Sequence, residues 1–384
     1  MEVFQVYNGG VKLFFGPGTI ESVKEFLKGY KKLLIVTGKK SARVSGALGD
    51  VEKILNELGI EYSVWDRAVP NPTRELVHEL AEYYRSGLYE GFIAIGGGSV
   101  IDLAKAARVV VVGGGDIKEY LYSMRKAPEK QPFLLAVNLT HGTGTEIDRY
   151  AVVTITETKE KLGFNAGYPT VSVDDPRYLI TLPRNQTIYT SLDAFAHAVE
   201  AATTRLTSPY VRLLAREAIR LIVEYLPKAL EKPDNVEYRY WLLYASMIAG
   251  IAIDHGVTHY GHAIEHVLTG VKPELAHGSG LGIIHRELIG IIYEQMPENM
   301  AYVLEPLEPS LKPIREDASK AVKAYNEFLE KIGFTEKLSD YGFTENDLEK
   351  LEPLYNSMIE KRFKGVLPFE LPWSKVREML KKLL

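Results

Sequence analysis

The sequence predicts an α/β domain built on a parallel sheet, followed by an all-α domain, and three observations lead there. In the first part of the chain short apolar runs alternate with amphipathic stretches, which is the signature of βαβ units. After TLPR at 181–184 long helical patterns rich in Ala, Leu and Arg replace the β-rich segments. With 384 residues the chain also exceeds the usual size of one domain. The domains are therefore expected at 1–183 and 184–384.

The elements follow in order. KKLLIVTG at 31–38 reads as a strand ending in glycine, the region from Ala47 to Leu58 as a helix, and EYSVWD at 61–66 as a second strand. After the turn VPNPT comes a helix from Thr73 to Ser86, then the strand GFIAIGGG at 91–98, a helix from Ser99 to Val112, and the strand PFLLAVNL at 132–139. Strands that alternate with helices pair in parallel and are covered on both faces. In the second half LTSPY, EKPDN, MPENM and LEPSLKP break the helices without forming a flexible linker.

Composition bounds the function. Hydrophobic residues at 46% and charged residues at 25% are ordinary for a soluble globular protein. A net charge of -4, a pI near 6.2 and the lack of a Lys/Arg cluster interleaved with aromatics disfavour nucleic acid as a partner. MEVFQVYNGG has Glu2 and two glycines where a signal peptide needs a basic start and an apolar run. LLIV at 33–36 and VVVV at 109–112 fall far short of the ~20 residues of a membrane-spanning helix. A soluble, cytoplasmic protein with no membrane partner is expected. Zero cysteines exclude disulfides, thiolate catalysis and Cys-based metal sites. Together with few glutamines and abundant Glu and Lys, that composition suits a thermophile.

The chemistry concentrates in two places. Asp193 and His197 in TSLDAFAHAVEA are four residues apart in an apolar helical stretch, so they share one helix face. A buried carboxylate costs several kcal/mol unless it is paired or bound to a cation. His262 in HYGHAIEHVLTG and His277 in ELAHGSG complete one carboxylate and three imidazoles, a set suited to a hard or borderline divalent metal. His255, His259, His262 and His266 recur at spacings of four, three and four, a stripe along one helix face. No more than two of them are expected as ligands, and spacing alone does not rank them.

The second place is GGGSVIDLAKAA at 96–107, where a strand ends, glycines follow and a helix begins. Glycines let the backbone approach an anion, Ser99 is positioned to cap the helix, and Asp102 three residues later to complete a capping box. The free N–H groups at such a helix start favour a pyrophosphate. NLTHGTGTE at 138–146 again places glycines and hydroxyls after a strand, on the same edge of a parallel sheet. Two such turns side by side point to a nucleotide.

With GPGT at 16–19, PNPT at 70–73, GGGSVID at 96–102, GTGTE at 142–146, LDAFAHAVE at 192–200, HAIEH at 262–266 and AHG at 276–278, the chain resembles the iron-containing, group III alcohol dehydrogenases. The markers extend over most of the chain, up to about His285. The resemblance implies a dehydroquinate synthase-like fold, with a dinucleotide-binding N-terminal domain and a helical domain that holds one divalent metal. That metal is usually iron(II), with zinc a possible occupant as isolated. Dimers or higher homo-oligomers are common in the family.

Carried over position by position, the resemblance makes Asp193, His197, His262 and His277 the ligands and leaves His266 unligated near the reaction centre, where it can relay a proton. Gly97, Gly98 and Ser99 would hold the pyrophosphate, Asp102 is counted with the cofactor-binding residues, Asn71 and residues 140–143, including Thr140 and Thr143, would contact the rest of the cofactor, and Lys161 would approach the ribose. NADP(H) is expected in preference to NAD(H). NAD-using relatives carry an Asp at the position of Gly38, where it would repel a 2′-phosphate. Here Gly38 leaves room, Ser41 offers a hydroxyl, and Lys39 and Lys40 supply charge.

The resemblance thus implies a metal-dependent alcohol dehydrogenase or aldehyde reductase, acting on a small alcohol or aldehyde. Polyol and glycerol-type dehydrogenases and the dehydroquinate synthase-like cyclase share the related fold and are the alternatives. The cyclase calls for Lys and Arg around a phosphorylated substrate, and no such cluster lies beside the ligand motifs. A nucleotide-binding protein without catalysis would not need a complete ligand set.

Overall fold

The computed structural model describes residues 4–384, so Glu2, on which the reading of the N-terminus leans, lies outside the described residues. The chain forms two compact units, one of residues up to Pro183 with Pro233–Leu243, the other of Arg184–Lys232 with Tyr244–Leu384. No helix among the described residues is long and apolar enough to cross a membrane.

In the first unit the strands are β1 (Phe4–Asn8), β2 (Val11–Phe15), β3 (Lys32–Thr37), β4 (Glu61–Trp65), β5 (Gly91–Gly96), β6 (Phe133–Asn138), β7 (Tyr150–Ile155), β8 (Glu160–Asn165) and β9 (Val171–Asp174). Seven of them make one sheet in the order β1-β2-β9-β6-β5-β3-β4, parallel throughout except for the antiparallel β1–β2 pair. The apolar strands β5 and β6 sit at its centre and are buried at every position, as strands covered on both faces must be. The antiparallel hairpin β7–β8 forms a separate sheet. The βαβ reading did not include it, although β7 alternates buried and half-buried residues in the two-residue period of a one-sided strand.

The helices of this unit are α1 (Lys24–Leu27), α2 (Ser41–Val44), α3 (Ala47–Leu58), α4 (Arg74–Ser86), α5 (Gly98–Gly113) and α6 (Ile117–Leu121). Helix α4 starts one residue after the predicted Thr73 because Thr73 is its N-cap, its hydroxyl accepting the Leu76 N–H at 3.4 Å. The expected capping box on α5 does not form. Gly97, with extended backbone, is the N-cap, which places Ser99 inside the first turn. Ser99 Oγ accepts the Asn71 N–H at 3.3 Å, and Asp102 accepts from Thr145 Oγ1 at 2.7 Å and from the Val152 N–H at 2.9 Å.

A buried ammonium strengthens that junction. Lys105 is fully buried, and its Nζ lies 2.8 Å from Thr145 Oγ1, 2.9 Å from the carbonyls of Asp148 and Tyr150, and 3.1 Å from Asp148 Oδ1. Helix α5 is thereby tied to the loop after β6 and to the start of β7.

The second unit is helical: α7 (Arg184–Ala201), α8 (Pro209–Glu231), α9 (Val236–Gly256, counted from Tyr244), α10 (Tyr260–Val271), α11 (His277–Gln295), α12 (Pro297–Leu304), α13 (Ala318–Lys331), α14 (Glu345–Glu349), α15 (Glu352–Met358) and α16 (Trp373–Lys382). The LTSPY break starts α8 with Ser208 as cap, its Oγ accepting the Val211 N–H at 3.2 Å, and Pro209 in the first turn. Helix α7 packs against α8 and α11, and α11 against α10 and α13, which brings α7, α10 and α11 together.

One pair of carboxyl groups in the first unit sets a pH dependence. Asp174 and Glu146 are fully buried. Asp174 Oδ1 accepts from Asn138 Nδ2 at 3.1 Å, while Asp174 Oδ2 and both Glu146 carboxylate oxygens have no hydrogen-bond partner among the described residues. Burial and then the neighbouring Asp175 push Asp174 up to about 7, and burial with Asp174 pushes Glu146 well up. An unfolded Asp loses its proton near pH ~4, so between there and about 7 the folded state binds more protons and stability falls as pH rises. The expected outcome is that the melting temperature of the wild type declines across that window relative to Asp174→Asn. Parallel melting curves for the two proteins from pH 4 to 7 would contradict it.

Candidate metal centre and dinucleotide edge

Helix α7 carries Asp193 and His197 one turn apart, α10 carries His262 near its start, and α11 begins at His277. Their donor atoms meet. Asp193 Oδ1 lies 3.5 Å from Nε2 of His197, 3.6 Å from Nε2 of His262 and 3.5 Å from Nε2 of His277. The rings of His197 and His262 are stacked with centroids 4.6 Å apart. Asp193, His197 and His262 are 3%, 5% and 4% exposed, and Asp193 Oδ1 and His262 Nε2 make no hydrogen bond among the described residues.

These separations are too long for good hydrogen bonds but fit shared ligands. Donors ~2.1 Å from one tetrahedral ion lie about 3.4 Å apart. The Nδ1 atoms of His262 and His277 each face a buried glutamate, Glu200 and Glu265, so their Nε2 atoms are the ones turned toward Asp193. Burial pushes His197 down to about 4, in the neutral form a metal requires. Burial works against ionisation of Asp193, yet His197, His277 and His262 hold its carboxyl well below the usual range. Against its own burial, His262 is drawn up to about 10 by Glu200 and Asp193. The centre thus attracts positive charge: donor atoms of Asp193, His262 and His277 lie within 4.8 Å of one another, as a divalent cation requires, and His197 joins them through Asp193.

The predicted histidine stripe is not one helix face. Helix α9 ends at Gly256, Val257 has φ 55°, and His259 is the N-cap of α10. His255 is exposed with its ring edge-on to Tyr210, and buried His259 pairs its Nε2 with Thr203 Oγ1 at 2.8 Å. His262 and His266 stay on one helix. His266, 7% exposed, stands beside the predicted ligands, its ring centroid 6.1 Å from that of His262 and 5.6 Å from that of His277. A nitrogen of His266 also groups with Glu265 and His277 within 4.8 Å.

The predicted dinucleotide residues gather at the carboxyl ends of parallel strands. Gly38 follows β3, Asn71 follows β4, Gly97 and Gly98 follow β5, and Thr140 and Thr143 follow its neighbour β6. The glycines are needed for close approach: a Cβ on Gly97 would stand 2.8 Å from Thr140 Cγ2, and one on Gly98 2.4 Å from Thr143 Cγ2. The two turns are therefore in direct contact. Asn71, at φ 54°, reaches this edge through its bond to Ser99.

Lys161 is buried on β8 opposite Thr154, whose N–H bonds the Pro72 carbonyl at 2.8 Å, so it lies near the PNPT turn. Lys39, Lys40 and Ser41 are exposed at the start of α2, and a Cβ on Gly38 would meet only Ala68 O, at 3.4 Å. Asp102 does not reach the edge: both its oxygens point inward, to Thr145 and Val152, because its place in the second turn of α5 turns it from the helix start.

Sequence reasoning missed Glu200, Glu265 and Lys105. The available signal was the same one that exposed Asp193: a charged residue inside an otherwise apolar helix, as in AHAVEAA, HAIEHVL and DLAKAARVVVV.

The chain is similar to known proteins over nearly its whole length. The family profile described as iron-containing alcohol dehydrogenase matches residues 10–176, and that of the Fe-containing alcohol dehydrogenase family, C-terminal, matches 187–383. The long-chain primary alcohol dehydrogenase AdhA of Thermoanaerobacter ethanolicus is 44% identical over 345 residues, 88% of this chain and 86% of the relative. Among solved structures, the archaeal halo-thermophilic alcohol dehydrogenase ADH/D1 from a Red Sea brine pool superposes with TM-score 0.92 at 28% identity, covering 100% of this chain and 99% of that one. NADH-dependent butanol dehydrogenase A of Thermotoga maritima gives TM-score 0.89 at 31% identity with the same coverage.

The convergence on Asp193 Oδ1 leads to a direct expectation. Purified protein should hold about one divalent ion per chain, as a single four-donor set allows, and His262→Ala or His277→Ala should abolish its retention. Elemental analysis showing full occupancy in an Asp193→Ala, His197→Ala double variant would refute the ligand set.

Proposed function

The chain belongs to the iron-containing alcohol dehydrogenase family, and on that premise we propose that it interconverts primary alcohols and aldehydes with NADP(H) at a metal centre of Asp193, His197, His262 and His277. The observation that carries the reading is the convergence of three Nε2 atoms on one buried, unpartnered carboxylate oxygen. A divalent ion there supplies Lewis acidity toward an alcohol or carbonyl oxygen, and the nicotinamide supplies the hydride chemistry. Iron(II) is the first choice, and zinc suits the same donors. Primary alcohols are favoured by the likeness to AdhA, a long-chain primary alcohol dehydrogenase.

In this reading residues 1–183 bind the dinucleotide and residues 184–384 hold the metal. The backbone at Gly97, Gly98 and Ser99 receives the pyrophosphate at the start of α5. Asn71, Thr140, Thr143 and Lys161 line the same edge. Asp102 acts behind it, holding Thr145 and so the second turn. His266 moves the proton that alcohol oxidation releases, at a ring nitrogen beside the ligand set. The preference for NADP(H) departs from the cofactor of the Thermotoga relative. It rests on the open space at Gly38 and on the exposed Lys39, Lys40 and Ser41 that follow.

The test is anaerobic, iron(II)-reconstituted protein with a panel of primary alcohols and NADP+. Net accumulation of NADPH supports the dehydrogenase, whereas a cyclase-type enzyme, which uses its cofactor transiently, would give none. His266→Ala is expected to keep its metal while kcat falls and one limb of the pH profile flattens. Loss of metal in that variant would make His266 a ligand instead. Gly38→Asp is expected to weaken NADPH far more than NADH, because the carboxylate repels a 2′-phosphate. Comparable affinities for the two cofactors in the unmodified protein would remove the basis for the preference.

A further inference from the structure

Two glutamates outside the ligand set are fully buried beside it, Glu200 on α7 and Glu265 on α10. Glu265 Oε2 lies 2.5 Å from His277 Nδ1, and Oε1 accepts the hydroxyl of Thr269. Glu200 does more. Its Oε1 lies 2.8 Å from His262 Nδ1, and its Oε2 accepts the backbone N–H of His259 at 2.6 Å and of His262 at 3.3 Å. His259 is the N-cap of α10 and His262 lies in its first turn, where N–H groups lack intrahelical acceptors. One carboxylate therefore caps the helix and grips the imidazole that the helix carries.

Glycines make this approach feasible. A Cβ on Gly261 would stand 2.3 Å from Glu200 Oε1, closer than any side chain tolerates, and one on Gly280 would stand 3.0 Å from Glu265 Cγ. Both helices lack a side chain where a glutamate must come in.

We infer that Glu200 and Glu265 are positioning residues for the metal: each fixes the Nδ1-protonated tautomer of one ligand histidine and aims its Nε2 at the ion, and Glu200 carries the greater weight because it also sets the start of α10. The inference rests on the reading of His262 and His277 as ligands.

The two sites differ in what a conservative change removes. In Glu265→Gln the amide oxygen still accepts from His277 Nδ1, and the amide N–H can donate to the Thr269 hydroxyl, so these two contacts survive while the charge is lost. Glu200→Gln has no such arrangement, because N–H donors reach both carboxylate oxygens and one of those positions becomes an NH2 group.

The experiment is anaerobic titration of metal-free wild type, Glu265→Gln, Glu200→Gln and Gly261→Ala with Fe(II), Zn(II) and Co(II). It reads affinity by calorimetry and coordination by the visible spectrum of the cobalt form. Glu265→Gln is expected to weaken binding by about 10–100-fold with the cobalt spectrum shifted, as loss of a partner that orients a ligand does. Glu200→Gln should weaken it further. Gly261→Ala, which removes no ligand and no glutamate, should weaken it by displacing Glu200. Should Glu200→Gln fail to fold, Glu265→Gln and Gly261→Ala decide. Wild-type affinity and spectrum in the variants would overturn this inference alone, while wild type that binds none of the three ions would overturn the metal reading and this inference with it.

Discussion

The helical unit is organised around the cost of keeping Asp193 ionised at 3% exposure. A lone carboxylate there would take up a proton. What prevents this is a set of imidazoles from α7, α10 and α11, whose Nε2 atoms stand 3.5–3.6 Å from one oxygen. The three helices must meet at close range for that to happen. Their approach accounts for Gly278 at the start of α11, where a Cβ would stand 1.9 Å from the Tyr189 carbonyl oxygen on α7. The break between α9 and α10 has the same origin, since it frees His259 and His262 to present their N–H groups to Glu200.

In the α/β unit the corresponding constraint is contact between turns. Gly97 and Gly98 keep φ in ordinary territory, and what forbids a side chain is the second turn: Thr140 and Thr143 lie where their Cβ atoms would be. The Lys105 cluster fixes that second turn from below, through Thr145, Asp148 and the carbonyl of Tyr150. Removing one partner of a fully buried pair costs about 3–5 kcal/mol, so the cluster resists relaxation of the edge it supports.

Legibility in the sequence followed the period of each signal. Strands β3, β4, β5 and β6, the helices α3, α4 and α5 between them and the long helices after residue 183 declared themselves by apolar spacing, whereas β1, β2 and β9 did not, and Asp193 with His197 stood out as two polar residues one turn apart in an apolar stretch. The β7–β8 hairpin was missed because its alternating face follows the GTGTE loop and interrupts the strand–helix rhythm. The Ser99–Asp102 box satisfied a local rule and lost to tertiary partners, Asn71 and Thr145, that no local rule contains. The histidine stripe failed for a similar reason: Val257 adopts a positive φ that its residue type gives no sign of. Glu200 and Glu265 sit inside motifs already singled out, but their partners, 62 residues away for Glu200 and His262, become visible only in the folded chain.

The protein buries its carboxyl groups by three different routes, and the contrast explains why one cluster calls for a cation from outside. Asp148 is matched by the protein's own ammonium, Lys105, at 3.1 Å. Among the described residues Glu146 and Asp174 form no ion pair, and burial raises both, so they remain protonated well above the usual carboxyl range. Asp193 and Glu200 have neither a lysine nor an arginine beside them, yet both are held low by surrounding imidazoles in spite of burial. Glu200 is held by His262 Nδ1, which keeps its proton, whereas the Nε2 atoms that face Asp193 are metal donors when they carry none. A divalent ion held by Asp193 and these imidazoles would preserve the neutralisation of the carboxylate without protons on those Nε2 atoms. The partners of the other two clusters are the ammonium of Lys105 and the amide of Asn138, neither of them a metal-binding imidazole, so the demand for a metal falls on the helical unit.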